Sequence, residues 1–110
     1  MRRTMTTNEN WVTVAQLSDL APGEVKGVEH GDKQIALYNV EGKICATDNI
    51  CTHAFAMLSD GWLDGDVIEC PLHAGRFEVC TGKAVGPPVD IDIKVYPVRV
   101  QGNDIQVQVG

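Results

Sequence analysis

The chain has 110 residues, enough for one domain with a single modest core, and its apolar content of 44% is ordinary for a folded protein. The formal net charge of −6 argues against nucleic acid or an anionic membrane as a partner, because both require a basic surface. The 11 glycines and the scarcity of helical periodicity favour an all-β domain with many turns.

Four short strands are predicted before residue 48. Each is marked by β-branched and apolar residues in alternation, and turns are indicated at Pro22-Gly23, Gly31-Asp32 and Glu41-Gly42. The predicted strands are 11–15, 25–30, 34–40 and 43–47. Their spacing is typical of an antiparallel meander.

The pattern changes in the middle of the chain and then returns. Short strands are predicted at 67–69 and 76–79 within a region rich in Gly and Asp. From residue 89 the alternation resumes, with strands expected at 91–95, 98–100 and 105–109. We therefore expect a base formed by 11–45 and 89–109, with a lobe of about 46–88 inserted into it.

Two Cys-plus-His pairs lie in this lobe. The first reads Cys51-Thr-His53, and after sixteen residues (54–69) the second reads Cys70-Pro-Leu-His73. Cysteine and histidine bind transition metals and iron–sulfur clusters. Common zinc fingers carry both cysteines on one segment and both histidines on the other, whereas each segment here supplies one of each. A two-iron cluster is favoured over structural zinc, and packing without a metal is the third alternative.

The order of these ligands resembles that of Rieske iron–sulfur proteins, which carry Cys-x-His and then Cys-x-x-His. The chain is most similar to the small Rieske ferredoxins of bacterial aromatic-ring-hydroxylating dioxygenase systems, of the naphthalene or biphenyl type. The resemblance runs from about residue 11 to residue 109. Its most specific segments are 46–53, 58–61, 68–73 and 75–83.

The resemblance implies a Rieske fold, in which an antiparallel β-sandwich or barrel base carries a small inserted lobe that binds one [2Fe-2S] cluster. Cys51 and Cys70 would bind the inner iron as thiolates. His53 and His73 would bind the outer iron, with the far nitrogen of each ring facing solvent as an exit route for electrons.

The histidine count argues against an oxygenase. A mononuclear oxygenase iron needs two further histidines and a carboxylate, and only His30 is left once two histidines serve the cluster. We expect an electron carrier that is not itself an enzyme. The alternatives are a small Rieske-like subunit of a nitrite reductase and a zinc-stabilised interaction module.

The resemblance also implies partners for such a carrier. It would take electrons from a flavoprotein ferredoxin reductase fed by NAD(P)H and pass them to a terminal Rieske oxygenase. Docking would use an apolar tip around His53 and His73, ringed by Asp60, Asp64 and Asp66. A monomer is expected.

Neighbouring residues predict a low reduction potential. High-potential respiratory members carry Ser and Tyr hydroxyls that donate to the cluster sulfurs, and a disulfide that braces the two loops. Gly75 and Phe77 stand at the donor positions and Ala56 and Leu72 at the disulfide positions. We therefore expect a potential near the low end of the Rieske range, about −150 mV.

The compartment determines the expectation for the other cysteines. No apolar run approaches a membrane span, and the N-terminus lacks the apolar core of a secretory signal, so a cytoplasmic protein is expected. Cys45 and Cys80 are predicted to be reduced, buried packing residues. A disulfide between them is geometrically possible but disfavoured, because thiols stay reduced in the cytoplasm. Ala74 stands where the family usually has Gly, and a negative φ there would accommodate its methyl group.

Overall fold

The secondary structure is almost entirely strand. The computed structural model describes residues 11–52, 56–72, 74–85 and 91–109, and in these ranges it has nine strands, two short 3₁₀ helices and no α-helix. The strands are β1 Trp11–Gln16, β2 Val25–His30, β3 Lys33–Val40, β4 Lys43–Asp48, β5 Trp62–Asp64, β6 Val67–Glu69, β7 Arg76–Glu78, β8 Val98–Gln101 and β9 Asp104–Gln108. The 3₁₀ helices are Leu17–Asp19 and Leu58–Asp60. No helix in the described ranges could cross a membrane.

These strands form three antiparallel sheets of three strands each. Their orders are β1-β9-β8, β2-β3-β4 and β5-β6-β7. The first sheet joins the two ends of the described chain, because β1 pairs with β9. The all-β prediction is confirmed, while the exact limits of an inserted lobe stay a prediction.

Tight turns set the register of the hairpins. Val40 pairs with Lys43, so Glu41 and Gly42 form the whole loop between β3 and β4. Both have positive φ, 52° and 99°, which is the type I′ geometry whose twist matches that of the flanking strands. The turn predicted at Glu41-Gly42 is therefore confirmed.

The sheet β2-β3-β4 lies between two apolar cores. Side chains alternate between the faces of a strand, and in β3 both faces are buried. Ile35 and Leu37 pack into one core, while Ala36 and Tyr38 pack into the other. This explains why β3 reads as an almost continuous apolar run.

The two cores differ in what they join. The first core, which contains Ile35 and Leu37, holds Ile105 and Val107 of β9 against the sheet β2-β3-β4. The second core, on the opposite face of that sheet, holds Ile68 of β6 and Phe77 of β7 against it. The buried residues of the second core are Ala36, Tyr38, Cys45, Cys51, Leu58, Ile68, Cys70, Phe77, Val79 and Ile93. Both cysteines of the paired motifs thus belong to the second core.

The strand predicted at 91–95 is wrong. Residues 91–97 form a connector whose pairing is the isolated bridge Thr47↔Val95. Ile93 is buried in the second core and Tyr96 in the first, a spacing of three residues that crosses from one core to the other. Ile91 stays 62% exposed, so the apolar alternation does not mark one buried face.

Candidate metal centre

The segment that begins at Cys51 is a closed loop. The isolated bridge Ile50↔Met57 joins its two ends, and the backbone N–H of Cys51 donates to the carbonyl of Ala56 at 2.9 Å. Residues 51–56 are called the first loop below.

The segment that begins at Cys70 has the same closure. Glu69 pairs with Arg76 at the end of the β6–β7 ladder, and the backbone N–H of Cys70 donates to the carbonyl of Gly75 at 2.6 Å. Residues 70–75 are called the second loop. The two loops therefore have equal length, and each begins with a cysteine at the point where an antiparallel pair opens.

The two cysteines of these loops are buried side by side. Cys51 is 4% exposed, Cys70 is fully buried, and neither is in a disulfide. Burial raises the pKa of the Cys70 thiol, the N–H of Leu72 lowers it, and a hydrogen bond with the Cys51 side chain raises it further. Both cysteines belong to the second core, so the fold brings these two side chains into one buried cluster, and their role as ligands stays a prediction.

This pair fits the sulfur half of an iron–sulfur site. Two thiols in an apolar pocket lack the solvent that would stabilise their thiolates, and a bound iron would supply the missing positive charge. The backbone N–H of Leu72 donates to Cys70 Sγ at 3.4 Å, which is the kind of contact that stabilises a ligating thiolate.

The two histidines of the motifs lie outside the described residues. The described ranges do not include 53–55 and 73. Within the described ranges no group of three or more His, Cys, Asp or Glu side chains could hold a metal ion. The role of the histidines stays a prediction.

A side-chain clamp that the sequence analysis missed supports the first loop. Asn49 is 1% exposed, and its Oδ1 accepts the backbone N–H of Ser59 at 2.8 Å while its Nδ2 donates to Ser59 Oγ at 2.9 Å. Gly27 of β2 lies against this pair, since a Cβ there would be 2.8 Å from Ser59 Oγ. An Asn two residues before Cys51 is a weak signal, because Asn is common in turns.

The residues that bear on the potential lie next to the cysteines. Gly75 and Phe77 are both buried, and neither side chain can donate a hydrogen bond. Ala56 and Leu72 cannot form a disulfide between the loops. The expected low potential therefore stays a prediction consistent with these identities.

The backbone of the second loop is left-handed at Ala74. Its φ is +59°, in the region that favours glycine, so the condition under which a methyl group would be accommodated there is not met. Ala74 therefore carries a steric penalty that glycine would avoid.

The expectation that Cys45 and Cys80 are reduced is also wrong. They form a disulfide with a Cα–Cα distance of 5.2 Å. The expectation rested on the compartment alone. The fold packs Cys45 of β4 and Cys80, just after β7, against the same core, where their side chains meet.

Apolar side chains surround the two loops at the surface. Ile50, Met57 and Leu72 are 36%, 38% and 41% exposed. Ile91 lies beside the first loop, because Thr52 Oγ1 donates to its carbonyl at 3.0 Å. These four side chains are called the apolar rim below. Isolated exposed apolar residues are ordinary, but four around one site indicate a contact surface.

Comparison with known proteins decides the family. Residues 10–97 match the family described as Rieske [2Fe-2S] domain. The chain belongs to this family. The cofactor of this Rieske protein is therefore one 2Fe–2S cluster, as predicted, and the Rieske fold is confirmed.

Individual relatives are similar over nearly the whole chain. The chain is 53% identical, over 91% of its length and 96% of the relative, to the ferredoxin component of naphthalene 1,2-dioxygenase/salicylate 5-hydroxylase systems from Ralstonia sp.. The ferredoxin of Sphingomonas yanoikuyae B1 superposes with a TM-score of 0.87 at 38% identity, over 94% of this chain and all of that one. A chain from the complex of reduced oxygenase and oxidized ferredoxin in carbazole 1,9a-dioxygenase has a TM-score of 0.86 at 41% identity, over 92% and 94%.

Proposed function

We propose that this Rieske protein is a one-electron carrier and not itself an enzyme. It takes electrons from an NAD(P)H-dependent flavoprotein reductase and passes them to the terminal oxygenase of an aromatic-ring-hydroxylating dioxygenase system. The observation that carries the proposal is the pair of six-residue loops, each of which starts at a buried cysteine and has exposed apolar side chains in it or at its ends. The ferredoxin relatives support this role.

The cluster ligands in this proposal are Cys51, His53, Cys70 and His73. The adjacent thiols of Cys51 and Cys70 suit one iron, and the histidine that follows each cysteine in its loop would hold the other. When bound, the cluster accepts and releases one electron. The chain itself buries the sulfurs, donates the Leu72 N–H to Cys70 Sγ and excludes water with the second core.

The apolar rim is the surface proposed for electron exchange. Ile50 and Met57 flank the first loop and Leu72 belongs to the second. Exposed Asp60, Asp64 and Asp66 follow the first loop in sequence. Apolar contacts at the centre exclude water, while the acidic residues favour a basic patch on the partner. The carrier is proposed to be a cytoplasmic monomer, since a transient donor must expose this surface to each partner in turn.

Metal analysis tests the cofactor ligands. The purified protein should contain iron and acid-labile sulfide in equal amounts, and reduction should produce the electron paramagnetic resonance spectrum of a Rieske cluster. His73→Cys should retain sulfide but lose the Rieske spectrum, because histidine ligation defines it. Zinc without sulfide would overturn the proposal in favour of an interaction module.

Redox titration tests the predicted potential. The midpoint should lie near the low end of the Rieske range, about −150 mV, because Gly75 and Phe77 offer no side-chain donor. Each hydrogen bond to a sulfur should raise the midpoint by roughly 20 to 60 mV for a one-electron couple. A midpoint well above zero would contradict this prediction.

Paired surface variants test the docking face. Met57→Glu places a charge in the apolar rim, at a residue that is 38% exposed. Val100→Glu is the control, because it places a charge on β8 at a residue that is 41% exposed. The second-order rate of electron transfer to the oxygenase should fall roughly tenfold for the first variant and stay unchanged for the second. Equal rates for both variants would exclude the rim as the docking surface.

A further inference from the structure

The Cys45–Cys80 disulfide joins the two elements that carry the loops. Cys45 lies in β4, the strand that leads through Asn49 into the first loop. Cys80 follows β7, the strand that leaves the second loop. Without this bond, the sheets β2-β3-β4 and β5-β6-β7 would be held here by the side chains of the second core. The disulfide is thus a covalent link between the supports of the two loops.

An open groove gives small molecules access to this bond. A groove of about 400 Å³ is lined by both cysteines together with Lys43, Val79, Tyr96 and Val98. Cys45 is 6% exposed, whereas Cys80 is only partly buried. A small thiolate can therefore approach Cys80 Sγ from the groove.

Lys43 is placed to assist such an attack. It precedes Cys45 by two residues in β4, so the two side chains share one face of the strand, and both line the groove. Attack on Cys80 Sγ expels Cys45 as a thiolate, and a nearby ammonium group stabilises that leaving group.

We propose that Cys45–Cys80 is a thiol–disulfide exchange site for low-molecular-weight dithiols and that its state controls how firmly the two loops retain the cluster. The first thiolate of the dithiol attacks Cys80 Sγ, the Cys45–Cys80 bond breaks, and Cys45 takes a proton. The second thiol of the reductant then loses its proton and attacks the mixed disulfide, which releases Cys80 as a thiol and leaves the reductant as a cyclic disulfide. Two electrons and two protons pass from the dithiol to the protein.

Reversibility follows from the proposed cytoplasmic setting, where disulfides are usually transient or redox-sensing. This part of the inference rests on the proposed function. The exchange chemistry does not, because it is measured on the cysteines and not through electron transfer.

Mass spectrometry of alkylated protein tests the exchange site. The cluster-loaded protein is incubated with or without dithiothreitol, then acid-quenched, unfolded and alkylated. Two alkylated cysteines, Cys51 and Cys70, are expected without dithiothreitol and four after it. Four alkylated cysteines without reductant would overturn the proposal, and so would a disulfide that dithiothreitol opens only in unfolded protein.

Charge variants of Lys43 test whether the reductant reaches the disulfide through the groove. Lys43→Gln should slow reduction by dithiothreitol about threefold, and Lys43→Arg should restore the rate. An unchanged rate for Lys43→Gln would exclude the proposed role of the ammonium group.

Cluster retention tests the consequence. The loss of cluster absorbance in the presence of an iron chelator should be roughly tenfold faster for Cys45→Ser/Cys80→Ser than for the disulfide-bonded protein, because the loops open more readily. Val107→Ala is the control, since Val107 is fully buried in the other core and its truncation lowers stability without loosening the loops. If both variants lose the cluster equally fast, the cluster is lost only by global unfolding. That result would overturn the proposal that the disulfide determines how firmly the loops retain the cluster. Failure of electron transfer to the oxygenase would instead bear on the proposed function alone.

Discussion

The two cysteine loops share one backbone closure but differ in their supports. The second loop extends a regular ladder, since Glu69 and Arg76 are the last pair of β6 and β7. The first loop has the single bridge Ile50↔Met57 and depends on the side chain of Asn49. Both loops thus close by main-chain pairing, and the first is braced in addition by a buried amide.

This difference predicts where each loop is vulnerable. A ladder tolerates most side-chain changes, because its hydrogen bonds belong to the backbone. A buried amide cannot be replaced without leaving its partners unsatisfied. Side-chain substitutions should therefore disturb the first loop far more than the second.

The largest effect is expected for Asn49→Ala. The backbone N–H of Ser59 loses its acceptor inside the protein, so the free energy of unfolding should fall by about 2–4 kcal/mol. Denaturant titration measures this change.

Asn39→Ala is the matched control for that variant. Asn39 is also a buried asparagine with two side-chain hydrogen bonds, to the Leu20 carbonyl and from the Gly42 N–H. Both variants should lose similar stability, but only Asn49→Ala should speed loss of the cluster to a chelator. A similar acceleration in Asn39→Ala would refute the special role of the clamp.

A smaller loss is expected for Gly27→Ala. The new methyl group would lie 2.8 Å from Ser59 Oγ and 2.9 Å from Asn49 Nδ2, so the clamp must shift, at a cost of about 1–3 kcal/mol. Ser59→Ala removes one of the two crowding atoms, and the cost of Gly27→Ala should be smaller in that background. Additive losses in this double-mutant cycle would argue against the predicted clash.

The second loop should gain stability from Ala74→Gly. Ala74 has a φ of +59°, and glycine adopts this conformation without the steric penalty, so the free energy of unfolding should rise by about 0.5–1 kcal/mol. Ala84→Gly is the control, because Ala84 is not among the residues with positive φ and should lose a comparable amount. Thermal unfolding should show a higher Tm for Ala74→Gly and a lower Tm for Ala84→Gly than for the unchanged protein.

The smallest effect is expected for Glu69→Gln. The Glu69–Arg76 ion pair, at 3.5 Å, joins side chains that are 36% and 58% exposed, so its removal should change stability by less than about 0.5 kcal/mol. Chemical denaturation in low and high salt checks this. A loss as large as that of Asn49→Ala would mean that the second loop also depends on side chains.

Much of the fold could be predicted from local sequence signals. The β2–β3 and β3–β4 hairpins follow from alternation and turn residues, which act over a few neighbouring positions. The segment 91–97 has the same alternation, but its pairing is the isolated bridge Thr47↔Val95, and Ile91 stays exposed. A local pattern of alternation cannot tell whether a neighbouring strand is available along the whole segment.

The sequence by itself determined the all-β class and, through the spacing and order of its Cys and His residues, the Rieske family and its cluster. The type of residue determines which metal or cluster it can bind, so a short motif is enough to indicate the cofactor. Tertiary structure alone decided the burial of Cys51 and Cys70 in one core, the Asn49–Ser59 clamp against Gly27 and the Cys45–Cys80 disulfide. Each joins residues on different elements, and their proximity depends on how three sheets pack around two cores.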